Sequence, residues 1–430
     1  MIYGELVSRL REGQDFQRTV ELLDDLGKRF RALNFSHNDV DGVCCAFLIK
    51  RTLERFFGAE VVSVMPPSFM LTVEEVREIV NRTGDFDLLV ISDKGTFGSY
   101  DRMTGVIKRV LVIDHHQPQG YPDRCTVLNP KAETGKFMPA SALVCHLLMS
   151  MLGKPDDVDD LVAAIGCRGD LAFDIVDGFC DEMAEPFMQM VREKFPVLFE
   201  PVEDEPTIFD RAGRRKTSLI SQMAEAVHAG TLAHLYAEEI GEVGYGPDLV
   251  LNLFEEIVGG RPPASLEEFL SGETGRVIMS VYKKFREDCT RLEDRVKDPI
   301  FLGKIGKTEV LLVFARELKR AAKTTFSAIL PFVAFSHIRG SGRSNWVLIV
   351  FCPKDAGTQI SMRAEGTEID CASFLSELAR RLASRYRGER IGGGGHKEAA
   401  GFFAPPSVPV YAVLHEMVFL LEEMLTEPAV

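Results

Sequence analysis

Several things are missing from this 430-residue chain. No stretch holds the about twenty apolar residues that a membrane-spanning helix needs, so no such span is expected. The first seventeen residues carry Glu5, Arg9, Arg11, Glu12 and Asp15 and have no apolar core, so no secretory signal peptide is expected. Nine cysteines, an odd number, are scattered without a Cys-X-X-Cys pair. Cys44, Cys45, Cys145 and Cys167 lie inside apolar runs and read as small buried hydrophobes of a reducing, cytoplasmic compartment. Internal repeats and low-complexity tracts are absent. So is an excess of basic residues: the formal net charge is −14. That argues against tight binding along an extended nucleic acid. It leaves room for a small or short phosphate-bearing substrate, because clustered metal-binding acids inflate a negative count and bound dications offset it.

The length predicts two to three domains. Up to about residue 172, short apolar runs alternate with helical patterns. Residues 31–35 read as a strand, 36–42 as a polar turn and 43–57 as a helix. Residues 87–92 (DLLVIS) and 109–113 (RVLVI) read as buried strands. Such alternation predicts a parallel α/β sheet, in which ligands gather at the carboxyl ends of the strands. The middle, about 173–299, reads as helical, with 275–297 as one long amphipathic helix. Breaks are marked by Pro196, Pro201 and Pro206 and by Pro262 and Pro263. From about residue 300 alternation returns. Strands are expected at 308–314, 345–351 and 358–363, and a helix at 371–386. A glycine run then occupies 392–395, read as a turn leading into a helix whose backbone N–H groups cradle an anion.

Four polar clusters follow apolar elements. The first is HNDVDG, 37–42. In an extended segment His37, Asp39 and Asp41 would share one side, and Gly42 would let the backbone turn into a helix. A polar loop with an Asp helix cap reads the same way, so this motif alone decides nothing. The second is Asp93, which alone would be a turn residue or cap. The third is Asp114-His115-His116, where a charge and two imidazoles directly after a buried strand have no packing purpose. Such a pair can divide its labour, one ring binding metal and the other handling a proton. The fourth is Asp170, an acid at the end of an apolar stretch that needs a partner such as a metal. Together these supply His37, Asp39, Asp41, Asp93, His115 and Asp170 as ligands. A carboxylate and imidazole set without thiolates suits Mn2+ or Mg2+. It holds more acid than one closed zinc site uses, and about enough for two metals sharing a bridging carboxylate.

The order HNDVDG, ISDKG, VIDHHQP and GCRGD resembles the four motifs of the DHH phosphoesterase superfamily. The tail RIGGGGHKEAAGFF resembles the glycine motif of its DHHA1 accessory domain. The stretch VIDHHQPQGYPDRCTVLNPK, with an Asn-Pro after the triplet, is similar to the RecJ-like branch. The resemblance implies a DHH catalytic domain at 1–195, a helical connecting region at 196–299 and a smaller α/β DHHA1 domain at 300–430, with a cleft between the two domains. It implies that His37 and Asp39 bind one divalent cation, Mn2+ before Mg2+. Asp41, His115 and Asp170 would bind another, with Asp93 bridging. Asp114 and His116 would be catalytic, His116 lying near the reacting phosphate as donor or general acid. Gly393, Gly394, Gly395 and His396 would contact the phosphate or sugar, with Ser361 and Arg363 on a neighbouring strand.

Members of the superfamily hydrolyse phosphodiesters or phosphoanhydrides. The reading here is a two-metal phosphodiesterase for short single-stranded nucleic acid. The alternatives are a phosphatase or phosphodiesterase for pAp or a cyclic dinucleotide and, third, a silent scaffold, against which all the motif residues are present. There are departures. RecJ exonucleases often begin the first motif with an acid where this chain has His37, and no oligonucleotide-binding fold is recognisable. The basic stretch 211–216 (RAGRRK) reads as a solvated loop in preference to a strand-guiding patch. His146, His228, His234, His337 and His415 lack ligand spacing and read as structural, and Trp346 reads as core.

Overall fold

The computed structural model describes residues 3–66, 71–241, 243–315, 326–354 and 356–426. The chain forms two compact units, Met1–Phe209 with Arg215–Lys283, and Asp210–Arg214 with Lys284–Val430.

The first unit opens with helices α1 (Tyr3–Arg11) and α2 (Gln14–Leu26). It continues with β1 (Arg31–Ser36), α3 (Val40–Phe57), β2 (Glu60–Val64), α4 (Val73–Thr83), β3 (Leu88–Ser92), β4 (Arg109–Ile113) and β5 (Thr126–Leu128). The short α5 (Lys131–Thr134), α6 (Ser141–Leu152) and α7 (Asp157–Gly169) follow. The strands form one parallel sheet in the order β2-β1-β3-β4-β5. Every residue of β3 is buried, and only Arg109 of β4 is exposed, because helices cover both faces. On one face Leu33, Phe35, Leu89, Ile91, Val110 and Val112 pack with Val76 and Ile79 of α4 and with Tyr100 and Met103. On the other, α3, α6 and α7 pack together as an apolar layer. The strand order reverses between β1 and β3. At such a switch point the crossovers diverge and leave a crevice above the strand ends.

The middle of the chain contributes α8 (Glu185–Lys194), α9 (Leu219–Thr231), α10 (Ala237–Ile240), α11 (Gly246–Ile257) and α12 (Leu266–Phe269). Helix α13 (Glu273–Val296), which the apolar spacing predicts as a single helix, contains the division between the units. Two hairpins interrupt the expected all-helical stretch, β6 (Phe173–Asp174) with β7 (Phe179–Cys180), and β8 (Pro201–Glu203) with β9 (Lys216–Ser218). Their pairs are too short for a period-two pattern to show in the sequence.

The second unit is a mixed six-stranded sheet. It contains β10 (Ile300–Ile305), β11 (Thr308–Phe314), β12 (Trp346–Lys354), β13 (Gly357–Glu365), β14 (Gly392–Gly395) and β15 (Ala399–Ala404), in the order β10-β11-β12-β13-β15-β14. Only β11 and β12 run parallel. Helix α14 (Phe326–Gly340) lies between them in sequence, and its Phe335 meets the fully buried Trp346 edge-on at 5.8 Å. Helices α15 (Cys371–Arg385) and α16 (Val410–Thr426) cover the sheet residues Ile349, Phe351, Ile360, Met362 and Phe402.

The glycine run corrects one expectation. It is a strand, hairpinned to β15 through 396–398, and leads into no helix. The reason is packing. A Cβ on Gly393 would stand 2.3 Å from the Leu375 carbonyl oxygen of α15, so the bare backbone is what lets this strand lie against the helix. The following AAGFFA alternates, with Ala400, Phe402 and Ala404 buried, as a strand with one covered face should.

Candidate metal centre

Three of the four polar clusters sit at the carboxyl ends of β1, β3 and β4, above the switch point, and the fourth, Asp170, is the C-cap of α7. The alternation argument for the first cluster needs correcting. Only His37 and Asp39 precede the helix. Asp39 is the N-cap of α3, accepting the Gly42 N–H at 2.9 Å, and Asp41 already lies in the first turn. Cap and candidate ligand are therefore the same residue. The chain must fold back tightly here, since a Cβ on Gly42 would lie 2.4 Å from the His37 carbonyl oxygen. Asp93 follows β3 with φ of 56°, in the left-handed region that few residues other than Gly, Asn and Asp occupy readily. Its N–H is held by the Ile113 carbonyl at 3.0 Å.

These turns bring the donors into overlapping groups whose ligand atoms lie within 4.8 Å of one another: His37, Asp39 and Asp93; Asp41, His115 and Asp170; and Asp93, Asp114 and His116. His37 Nδ1 is 2.8 Å from Asp39 Oδ2 and 3.8 Å from Asp93 Oδ2. His115 Nε2 is 3.2 Å from Asp170, 3.4 Å from Asp93 Oδ1 and 3.9 Å from Asp41. Asp93 thus offers one oxygen to each side. The two sides differ in exposure. Asp41 and His115 are 1% exposed and Asp170 closes their group from the rim at 24%, whereas the side chains of both His37 and Asp39 are open, at 22% and 37%.

Surrounding groups fix the ring and carboxylate orientations. His115 Nδ1 faces the Met138 carbonyl at 3.1 Å, which makes Nδ1 the protonated nitrogen and turns the Nε2 lone pair towards the acids. A metal-binding histidine is held in this way. His116 Nδ1 donates to Asp114 Oδ1 at 2.8 Å, while Thr96 Oγ1 donates to Asp114 Oδ2 at 2.8 Å. Asn129, of the Asn-Pro pair, donates to the His116 carbonyl at 2.9 Å.

The acids strain against one another. Burial pushes the Asp93 carboxyl well above the usual carboxylate range, and the charges of Asp41, Asp39, Asp170 and Asp114 push it further. Asp41 is raised to about 7 by burial and by Asp39, against the lowering effect of the Ala142 and Ser141 N–H groups. At Asp39 burial is outweighed by the charge and hydrogen bond of His37, and the net shift is downward. His115 is lowered to about 3 by burial and by His116, so it is neutral, as a ligand must be. Burial also opposes charging of His116, but the Asp114 carboxylate outweighs it and the net shift is upward. Asp114 falls to about 2, its burial offset chiefly by His116. The Asp114 carboxylate thus favours the protonated form of the His116 ring. A neutral imidazole surrounded by mutually repelling carboxylates is the donor set expected to take up hard or borderline dications, and the residues present fit them.

The other predicted residues lie in the second unit. Arg363 pairs with Ala399, Ser361 with Gly401, and Gly401 with Gly394. Ser361, Gly401 and Gly394 therefore form a row on the sheet face opposite α15, while Gly393 turns to the helix. His396 lies in the hairpin turn, its N–H bonded to the Ala399 carbonyl at 2.7 Å. Of the basic stretch, Arg211 is no solvated residue, since it bonds Glu365 at 2.9 Å and the Arg339 carbonyl at 3.0 Å. His146 is structural, linking Tyr3 at 2.6 Å to Asp160 at 2.7 Å. Sequence reasoning missed Thr96, Met138, Ser141 and Ala142. Ser141 left only a faint signal, a hydroxyl at the head of an apolar helical run.

Residues 33–167 match the model of the DHH family, N-terminal domain. None of the curated proteins matches the sequence. Among solved structures, RecJ in complex with Mn2+ from Thermus thermophilus is similar at TM-score 0.59 and 17% identity, covering 95% of this chain and 55% of that one. This chain thus spans little more than half of that relative. An exonuclease RecJ bound to manganese is similar at TM-score 0.53 and 18% identity, covering 96% and 95%. The DHH domain of a protein described as a member of a family of ribosomal proteins reaches TM-score 0.59 at 16% identity, covering 99% and 92%. The matched domain and the shared fold agree: residues 33–167 carry the DHH family's N-terminal domain, and the chain has the fold of the RecJ structures.

Proposed function

We propose that this protein is a metal-dependent phosphoesterase that hydrolyses phosphate esters of short single-stranded nucleic acid. The observation that carries the reading is Asp93, one carboxylate with an oxygen directed to each of two donor groups. His37 and Asp39 would hold one cation, Asp41, His115 and Asp170 would hold the other, and Asp93 would serve both. Manganese is the preferred ion, as in two of the similar structures. Bound there, the cations supply Lewis-acid activation of water and neutralise charge on the phosphate oxygens.

The chain's own residues do the rest. Asp114 holds His116 by Nδ1 and raises its proton affinity, so that a protonated Nε2 can donate a proton to the leaving oxygen or a hydrogen bond to the phosphate. Thr96 keeps Asp114 in place. In the second unit, the row Gly394–Gly401–Ser361 carries no bulky side chain, and with Arg363 and His396 it is the proposed surface for phosphate or sugar contacts. The net charge of −14 favours a short substrate over a long tract. None of the nine cysteines is in a disulfide, and among the described residues no helix is long and apolar enough to cross a membrane. A cytoplasmic setting fits these thiols.

The test is hydrolysis with Mn2+ of end-labelled DNA and RNA ladders from dinucleotides upward, beside pAp and a cyclic dinucleotide. Protein with Asp114→Ala and His115→Ala serves as the blank. Shortening of oligonucleotides supports the proposal. Activity confined to pAp or the cyclic dinucleotide replaces it with a small-nucleotide enzyme, and no activity above the blank on any substrate overturns it.

A further inference from the structure

The amino end of α6 has an unusual cap. Its N-cap residue, Ala140, has no side chain able to bond the first N–H groups, and the deeply buried turn cannot use water. The cap comes from 100 residues earlier. Asp41 Oδ2 accepts the Ser141 N–H at 2.7 Å, and Asp41 Oδ1 accepts the Ala142 N–H at 2.9 Å. Ser141, itself 0% exposed, donates its hydroxyl to Asp93 Oδ1 at 3.0 Å. One helical turn therefore grips two carboxylates, one from each of two strand-end loops. From the other side, a Cβ on Gly166 of α7 would lie 2.9 Å from Asp41 Oδ1 and 2.5 Å from the Ala142 Cβ. The pocket for the Asp41 carboxylate is closed on both sides.

We infer that Ser141 is a positioning residue for the buried cation site, acting through Asp93 and aligned by the grip of the α6 amino end on Asp41. The argument rests on the two-metal reading above. Positive partial charge at a helix amino end steadies a carboxylate. Two N–H bonds fix the plane of Asp41, so its remaining lone pairs point at the space shared with His115 and Asp170. The Ser141 bond falls on the Asp93 oxygen nearer His115, 3.4 Å from that ring, and not on the oxygen facing His37. The effect should therefore be one-sided: the site of Asp41, His115 and Asp170 depends on Ser141, and the His37 and Asp39 site does not. Outer partners of this kind alter metal affinity by about 10- to 100-fold.

The experiment is calorimetric Mn2+ titration, with Mn2+ paramagnetic resonance, of the wild-type full chain and of Ser141→Ala and Ser141→Thr. The thermal midpoint of each metal-free protein is recorded alongside. Ser141→Ala keeps both backbone N–H groups and removes only the hydroxyl. The expected result is two sites in the wild type, one of them weakened about tenfold or more in Ser141→Ala and restored in Ser141→Thr. Gly166→Ala, which presses on Asp41 from the opposite side, should weaken one site as well. Equal isotherms for wild type and Ser141→Ala overturn the inference and leave the function standing, as does equal weakening of both sites. A wild-type protein that binds no Mn2+ overturns the proposed function itself, and the inference falls with it.

Discussion

The two sheets of this protein place their chemistry differently. In the main sheet of the first unit all five strands run in one direction, so every strand delivers its following residue to the same edge. Asp39, Asp93, Asp114 and His115 come from three separate turns yet meet within a few ångströms. In the second unit most neighbours are antiparallel, successive turns fall at opposite ends, and the predicted substrate residues lie along a face instead. A parallel sheet gathers charge at a point, and an antiparallel sheet spreads contacts over an area. The first arrangement suits chemistry at one atom, and the second suits recognition over a surface.

Four outcomes would sharpen or break this contrast. The largest is expected at the point where charge is gathered. On the proposed function, Asp93→Asn should cut kcat by about 1000-fold or more and reduce the Mn2+ stoichiometry in calorimetry, because the amide keeps one oxygen and puts an uncharged NH2 donor where the other side had its ligand atom. Next comes His116→Gln, expected to lower kcat by about 100- to 10,000-fold while Mn2+ binding is unchanged. Equal loss of metal in that variant would assign His116 to the ligand set instead.

The third outcome concerns pH. His228 of α9 is buried and its imidazole is lowered to about 4 by that burial, with Asp39 opposing. The unfolded value is about 6.5. Its contribution is therefore complete above about pH 6.5 and is lost as pH falls from there to about 4, an effect of about 3 kcal/mol. The raised carboxyls of Asp41 and Asp93 act with the opposite sign in the same range, so the loss is read from the difference between wild type and His228→Phe in urea unfolding, which should be largest at about pH 7.5 and shrink towards about pH 4.5. The smallest effect belongs to the second sheet. Arg363→Ala should raise KM for an oligonucleotide by about tenfold with little change in kcat, and leave a minimal aryl phosphodiester unaffected. A fall in kcat on the minimal substrate would place Arg363 with the reacting atoms and erase the contrast.

Legibility in the sequence follows the same divide. Buried strands at 109–113 and 87–92 declare themselves as short apolar runs, and an acid directly after such a run marks a strand-end site. What cannot be read depends on distance along the chain. Ser141 matters because Asp41 lies beside it in space, and nothing local to Ser141 announces that. Asp41 belongs to the right motif for the wrong geometric reason, since helix α3 begins before its apolar pattern does. The glycine run misleads because its purpose is set by the Leu375 backbone on another element, whereas a turn and a close approach both ask for the same residue. Met138 contributes only its carbonyl to His115, and a backbone contact leaves no trace in residue type.

The left-handed backbone at Asp93 has an evolutionary consequence. The residues at ease there are glycine, asparagine and aspartate, and an aspartate codon becomes either of the other two by a single base change. A mutation that removes the charge proposed to bridge the cations is therefore one the fold accepts without backbone strain. Descent from a hydrolase to a folded, metal-poor binding protein is a single step at this position, whereas at Gly42, where any Cβ meets the His37 carbonyl, loss of function and loss of fold come together.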